Sequence, residues 1–412
     1  MKSINYIDLF AGTSALSEGF KQLDLNPIAH IEMDTEACLT IKTRIAYHYL
    51  KGAGKLDSYY DYLRGSVSRT ELYNEVPVDH SETVINAEIS DHSLKTIFKT
   101  IQANLNKHRH SELDLIVGGP PCQAYSLIGR HGIDEDKDKR LSLYIQYGRF
   151  LKEFRPKAFV FENVPGLLSA NGGTHFANLK KYFRQIGYSI EDQILNAKEF
   201  GVLQNRKRVI IIGWRKDLNL TFPLLPKISH GYTTTDIFND LSPLVPGQSI
   251  TVGKYHKETS EYLSEFELKN GVDFYVQHVC RPHNSNDLKI YKFAIQQWES
   301  QGKRIKYTDI PASLRTQKNM NSFLDRFKVV NANGLSHTVV AHIAKDGHYY
   351  IHPNILQCRS ISIREAARIQ SFPDNFFFEG SRTAAFKQIG NAVPPLLSRA
   401  IAKGMEGLFK TL

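Results

Sequence analysis

Short apolar runs of strand length, alternating with segments of helical period, recur through the first half of this chain and restrict its fold more than any other feature. Such runs lie at residues 4–10, 26–31, 113–117, 158–161 and 208–213. Between two of them Tyr144, Tyr147, Leu151 and Phe154 recur at spacings of three and four, giving one apolar helix face that ends near Pro156. Alternation of this kind predicts an α/β fold built on a doubly wound sheet. Ligands of such sheets sit at the carboxyl ends of the strands.

At 412 residues the chain is long enough for a large core and for two domains. After Trp214 the alternation stops. Pro223, Pro226, Pro243, Pro246 and Gly247 punctuate the stretch beyond it, which predicts a boundary near residue 222. Residues 51–80, rich in Tyr, Ser, Asp and Gly, read as an insertion between two units of the alternation. Alternating β-type signals return at 336–351. Helical ones resume at 363–370 and after Pro394 and Pro395, prolines suited to a helix start.

The net charge of +10 favours a polyanionic partner, nucleic acid first. Cys38, Cys122, Cys280 and Cys358 form no CxxC pair, which argues against a structural zinc site or a disulfide framework; a reducing compartment and no metal are expected. Residues 1–20 lack a basic-then-apolar leader pattern, and no apolar run nears the roughly 20 residues needed to span a bilayer. A soluble, cytoplasmic protein without membrane contact is the expectation.

Pro120-Pro121-Cys122-Gln123 follows the apolar run 113–119, so Cys122 stands just beyond a strand end. Two prolines remove two backbone donors and fix φ twice, which stiffens the loop that carries the thiol. Free cysteine is ordinarily a small buried hydrophobe; its setting here, among prolines and glycines at a strand end, points instead to a nucleophile. Asp8-Leu9-Phe10-Ala11-Gly12 closes the first strand and opens into a helix, a junction suited to a nucleotide-like cofactor, although the GxGxxG phosphate fingerprint is absent. Glu32 follows the second strand. By position alone it reads equally as a solvated acid and as a carboxylate that grips a ribose diol.

Six blocks then occur in a fixed order. They are Asp8 to Gly12; Gly118-Gly119-Pro120-Pro121-Cys122-Gln123-Ala124-Tyr125-Ser126; Phe161-Glu162-Asn163-Val164; and Gln204-Asn205-Arg206-Lys207-Arg208-Val209. The last two are Arg364-Glu365-Ala366-Ala367-Arg368-Ile369-Gln370-Ser371-Phe372-Pro373 and Gly390-Asn391-Ala392-Val393-Pro394. With them the chain resembles the DNA (cytosine-5)-methyltransferases along nearly its whole length. The resemblance implies a Rossmann-like S-adenosylmethionine-dependent methyltransferase domain, discontinuous over residues 1–222 and 380–412. It also implies a smaller, irregular target-recognition domain with its hinge over residues 223–379.

The same resemblance implies a chemistry. Cytosine C5 is too weak a nucleophile to take a methyl group unaided, so a thiolate, Cys122, first adds to C6. Glu162 is the acid beside N3. Arg206 and Arg208 alternate at a strand start, so they are expected to share one face and hold the cytosine O2 and a phosphate with their rigid forks; without the other blocks they would be two solvated charges. For S-adenosylmethionine, similarity to the family assigns Phe10 to the adenine face, Glu32 to the ribose and Glu88 to the adenine amino group. Met33, Ile89, Pro121 and Leu143 line the pocket, and Gly12, Asn391 and Ala392 complete it beside the first strand. Two departures from the family pattern stand out: Ser14 and Ala15 replace glycines, with crowding of the methionine moiety as the expected effect, and Glu88 replaces an aspartate.

Residues 123–140, with Gly129, Gly132 and a mixed charge run, read as a lid that closes once the target base has left the duplex. Lys303, Arg304, Lys306, Arg315, Lys318, Arg326 and Lys328 form a basic cluster, either a solvated face or a phosphate track. His342, Lys345, Asp346 and His348 are candidates to face a groove. Arg364, Glu365 and Arg368 read as a structural charged network that braces the recognition domain against the catalytic one. The expected partner is duplex DNA, bound by a monomer, with a cognate restriction endonuclease as genomic companion in a prokaryote or phage. A tRNA-directed relative and a DNA-binding protein without activity are the rival readings.

Overall fold

The computed structural model describes residues 3–21, 23, 25–107, 112–121, 143–269, 271–317 and 320–412. Cys122, the 123–140 segment and Lys318 lie outside the described residues.

Seven strands form one twisted sheet: β1 (Asn5–Leu9), β2 (Asn26–Glu32), β3 (Val84–Asn86), β4 (Leu115–Gly118), β5 (Ala158–Asn163), β6 (Tyr188–Asn196) and β8 (Lys207–Arg215), in the order β3-β2-β1-β4-β5-β8-β6. β1 to β5 run parallel, and β8 runs antiparallel to both β5 and β6. The strand order reverses between β1 and β4, the crevice where such sheets bind ligands. The five runs read from sequence are all strands. β3 and β6 escape that reading, because they are the two edges and carry polar residues such as Glu191, Asp192 and Gln193 that a buried strand excludes.

The central strands are buried throughout, with Leu115, Ile116, Val117 and Phe159, Val160, Phe161 fully enclosed. The helix Leu143–Phe154 lays its apolar face on them, as its periodicity predicts. Its Tyr147 hydroxyl lies 3.1 and 3.0 Å from the Ile116 and Val160 carbonyl oxygens and shares its one proton between them, pinning β4 to β5. Gly118 is required by close approach. A Cβ there would stand 2.4 Å from the Leu9 carbonyl oxygen.

Residues 51–80 are three short helices, Leu56–Arg64, Arg69–Asn74 and Val78–Ser81. Tyr59 and Leu63 bury against Phe274 and Val276 of β10 (Phe274–Val279), so the insertion packs on the second half of the chain. There β9 (Ser249–Lys254) pairs antiparallel with β10. A 17-residue helix, Ser285–Gln301, is also not evident from the sequence pattern; it starts at an Asn284 cap and stops at Gly302, whose φ is 61°.

The β-type signal at 336–351 is a correction. Only β11 (Ser336–His337) forms, paired with the two-residue β7 (Gln204–Asn205), and Ala341–Ala344 is a 3-10 turn. The backbone groups expected in a ladder bond to side chains instead. Val339 N–H donates to Gln204 Oε1, Val340 N–H to the Tyr350 hydroxyl, and that hydroxyl to the Thr338 carbonyl. The chain then returns to its start: the helix Pro395–Phe409 packs on Ala15–Lys21, where Gly19 leaves no room for a Cβ beside Arg399 N.

Candidate active site

The site lies along the carboxyl edge of the parallel strands. After β1 the chain turns at Phe10 and Gly12, with φ of 55° and 56°. The turn is held by Glu32 at the end of β2. Its Oε2 accepts from Gly12 N–H and its Oε1 from Asp34 N–H, both at 2.8 Å. Burial pushes the Glu32 carboxyl above its usual range, against the opposing pull of the Asp34 and Gly12 amides. Each oxygen keeps a second lone-pair direction for a donor arriving from the crevice. Met33 is 63% exposed beside it, and Glu88 and Ile89 follow β3, the first exposed and the second buried.

The two glycine replacements turn inward. Ser14 is buried with φ of 59°, and its Oγ donates to Asp8 Oδ2 at 3.3 Å and lies 3.0 Å from His30 Nδ1. Ala15 packs in the core with Tyr6 and Leu16. Neither side chain is directed at the crevice, so the expected crowding does not arise from them.

On the other side of the switch point, β4 ends in Gly119-Pro120-Pro121. Two neighbours on β5 seat this segment. Asn163 Nδ2 donates to the Pro120 carbonyl at 3.1 Å, and the Glu162 side chain lies across Gly119 so closely that a Cβ there would stand 2.5 Å from Oε2. Glu162 is 9% exposed. Its Oε1 receives Arg208 Nε at 2.8 Å, an ion pair between β5 and β8. One carboxylate oxygen is thus fixed by a cation while the other faces the loop that leads into Cys122. Asn163 was legible only as a member of its block. Its role needs the fold, because Pro120 is remote in sequence.

Arg206 departs from expectation. It does not share a face with Arg208; it is fully buried, and its guanidinium donates to the carbonyls of Val339 at 2.6 Å, Gly390 at 3.3 Å and Ala392 at 2.8 Å. It precedes β8 and lies outside the ladder, so alternation along a strand does not govern its direction. Arg206 therefore ties the catalytic edge to the returning chain and does not present its fork to a base. Ala392 is buried in this tie, Asn391 is exposed at the end of the helix Arg382–Asn391, and Leu143 opens the helix against the sheet. Gln204 joins the same network, donating to the Ile369 carbonyl and to Gln370 Oε1.

The charged residues at 364–368 are entirely buried, and their partners among the described residues lie within residues 237–376, so the network ties that region to itself and not to the sheet. Arg364 donates to the carbonyls of Val276, Pro373 and Phe376; Glu365 takes both guanidinium ends of Arg359 at 2.7 Å; Arg368 lies between Asp240 and Asp374. The basic cluster at 303–328 is in good part internally occupied. Arg315 and Arg326 donate to backbone carbonyls, and Lys303 and Lys328 pair with Asp309 and Asp325. Of the groove candidates, His348 Nδ1 lies 2.8 Å from the Tyr291 hydroxyl and His342 faces Asp346.

A doubly wound sheet with a carboxylate-held turn after its first strand and a carboxylate–arginine pair over a glycine-proline loop defines a Rossmann-like methyltransferase. The comparisons agree. The model of the C-5 cytosine-specific DNA methylase family matches residues 82–407. The type II methyltransferase M.Bpa9945I of Bacillus paralicheniformis is 43% identical across 97% of this chain and 98% of its own. The type II methyltransferase M.DdeI of Desulfomicrobium norvegicum is 31% identical across 99% and 90%. Among solved structures, a putative DNA modification methyltransferase encoded within a prophage of E. coli superposes with a TM-score of 0.65 at 22% identity, covering 99% of this chain and 100% of that one. The chain belongs to the C-5 cytosine-specific DNA methylase family and is a DNA (cytosine-5) methyltransferase. Among the described residues, no helix is long and apolar enough to cross a membrane.

Proposed function

We propose that this enzyme methylates C5 of a cytosine turned out of a specific duplex DNA sequence, through a bond between Cys122 and C6, and so protects host DNA from a cognate restriction endonuclease. The observation that carries the reading is the Glu162 carboxyl, held by Arg208 on one oxygen and set against the Gly119-Pro120-Pro121 loop with the other. A thiolate leaving that loop attacks C6. Negative charge then grows in the ring toward N3, where Glu162 supplies the proton and Arg208 keeps its carboxyl oriented. The C6 adduct makes C5 an enamine-like carbon. As C5 takes the methyl group, N3 returns its proton to Glu162, and loss of the C5 proton to a base or water then expels the thiolate and restores the ring.

The turn after β1 fits S-adenosylmethionine. A half-buried carboxylate at the end of β2 suits a ribose diol, the half-buried Phe10 ring suits an adenine face, and the inward Ser14 and Ala15 leave the crevice clear. When bound, S-adenosylmethionine supplies an electrophilic methyl group. Glu88 with Met33 and Ile89 is assigned to the adenine edge, Pro121 and Leu143 to the pocket wall, and residues 223–379 to reading the DNA sequence. A base inside a duplex cannot reach a thiol on this loop, so the target must leave the stack, at a cost of a few kcal/mol.

The test is Cys122→Ser assayed with labelled methyl donor on duplex DNA and, in parallel, on tRNA, together with trapping on a 5-fluorocytosine duplex. Methyl incorporation into DNA and a covalent adduct in the native enzyme, both abolished in the variant, are expected. Full activity of Cys122→Ser, or incorporation into tRNA alone, would overturn the reading.

A further inference from the structure

The turn after β1 is strained at both ends. Phe10, Gly12 and Ser14 all lie in the left-handed region, with φ of 55°, 56° and 59°. Glycine adopts that region freely, whereas an L side chain does so rarely and stays there only when its surroundings hold it. Ser14 closes the turn. Its N–H donates to the Ala11 carbonyl at 2.7 Å, and its own carbonyl accepts from Glu18 N–H at 2.9 Å. Between the two ends, Ala11 N–H donates to the Ile31 carbonyl and Gly12 N–H to Glu32 Oε2.

A buried polar cluster beneath the turn holds Ser14. Register pairs Asp8 of β1 with His30 of β2, so the two side chains leave the same face of the sheet. The Ser14 hydroxyl donates to Asp8 Oδ2 at 3.3 Å and, with its one proton spent there, accepts from His30 Nδ1 at 3.0 Å. Ser17 sends its own hydroxyl to the same Asp8 oxygen at 2.8 Å. All four residues are buried. A cavity of about 30 Å³, lined by Tyr6, Ser14, Ser17 and His30 among others, adjoins the cluster, so hydrogen bonds and not close packing fix the serine from that side. Water entering that space can replace the hydroxyl for Asp8 and His30. It is not bonded to the chain and cannot hold residue 14.

The other side of the same turn carries the groups assigned to the cofactor. Phe10 is half-buried there, and the Gly12 amide fixes one oxygen of Glu32. If residue 14 leaves the left-handed region, the bond from its N–H to the Ala11 carbonyl is lost and both groups are released with it. The turn is therefore set from behind, before any ligand arrives.

We infer that Ser14 is a positioning residue for the cofactor: its hydroxyl, held by Asp8 and His30, keeps the turn in the conformation that receives S-adenosylmethionine. The inference rests on the reading of this turn as the S-adenosylmethionine site. The side chain acts without touching the ligand. It raises the fraction of the protein that is ready to bind, and apparent affinity scales with that fraction.

Two substitutions separate the hydroxyl from the strain it holds. Ser14→Ala removes both hydrogen bonds and keeps the strain, whereas Ser14→Gly removes bonds and strain together. Calorimetric titration with S-adenosylmethionine in the absence of DNA gives the affinity, and amide hydrogen exchange over residues 10–16 of the ligand-free protein reports the turn itself. Losing a hydrogen bond to a buried carboxylate shifts the population of the turn about tenfold, so Ser14→Ala is expected to bind about tenfold more weakly and to exchange faster. Ser14→Gly is expected to recover most of that affinity. His30→Ala, which takes one partner from the hydroxyl and leaves residue 14 as serine, is expected to weaken binding in the same direction. In steady state the loss in Ser14→Ala falls on the KM for S-adenosylmethionine, with DNA affinity and melting temperature near native. Native affinity in either Ser14→Ala or His30→Ala, or an equal loss in Ser14→Ala and Ser14→Gly, overturns the inference while leaving the methyltransferase reading intact. If the native enzyme binds no S-adenosylmethionine, the cofactor reading itself fails and the inference with it.

Discussion

Gly119→Ala isolates the contact on which the proposed catalytic geometry depends. A Cβ at this position stands 2.5 Å from Glu162 Oε2, 3.1 Å from the Glu162 carbonyl oxygen and 3.5 Å from its Cβ. Ordinary contact begins near 3.4 Å, so loop and carboxyl must separate by about 0.9 Å. The carboxyl cannot rotate away cheaply, because its other oxygen is held by Arg208 at 2.8 Å. Either the loop leading to Cys122 lifts or the ion pair breaks. A misplacement near 1 Å costs on the order of 100-fold in rate, about 2.7 kcal/mol of barrier. Single-turnover methyl transfer and the rate of adduct formation on a 5-fluorocytosine duplex are both expected to fall by that factor. DNA affinity and melting temperature should stay near native, because Gly119 lies past the end of β4. Gly118→Ala is the contrast: its Cβ meets the Leu9 backbone between two central strands, so stability falls there instead. Native rates in Gly119→Ala would refute the argument that Glu162 and this loop are set against each other.

Arg206→Ala tests the correction made to that residue. It strips the donors from three carbonyls in the core, each costing about 1–3 kcal/mol when left unsatisfied, so urea unfolding should lose several kcal/mol. Lowered activity at native stability would return Arg206 to the substrate. Acid should weaken the fold before carboxylates titrate. Burial pushes His278 down to about 4 and His352 to about 3, so between these values and the unfolded value near 6.5 the unfolded chain binds more protons. Their contribution is full above about pH 6.5 and is lost as pH falls, at up to about 1.4 kcal/mol per pH unit each. A urea midpoint unchanged from pH 7 to pH 5 would contradict this, and His352→Gln should flatten the dependence.

The sequence by itself determined the inner sheet. Five strands can be read from apolar runs because parallel strands covered on both faces tolerate little else. It also carried the family, since six blocks hold their order whatever the fold does with them. Pattern failed where side chains or edges replaced the regular ladder. β3 and β6 are edges with polar content, and the stretch from 336 onward alternates like a strand yet is held by Gln204, Arg206 and Tyr350. Arginine shows the division most clearly. Arg206 and Arg208 are two residues apart and indistinguishable as sequence, but one is enclosed by the carbonyls of Val339, Gly390 and Ala392 and the other reaches Glu162 across β8 and β5. Local periodicity records which residue types a segment can bury. The direction of a cation depends on which remote carbonyls and carboxylates the fold brings to it, and only the tertiary structure decided that.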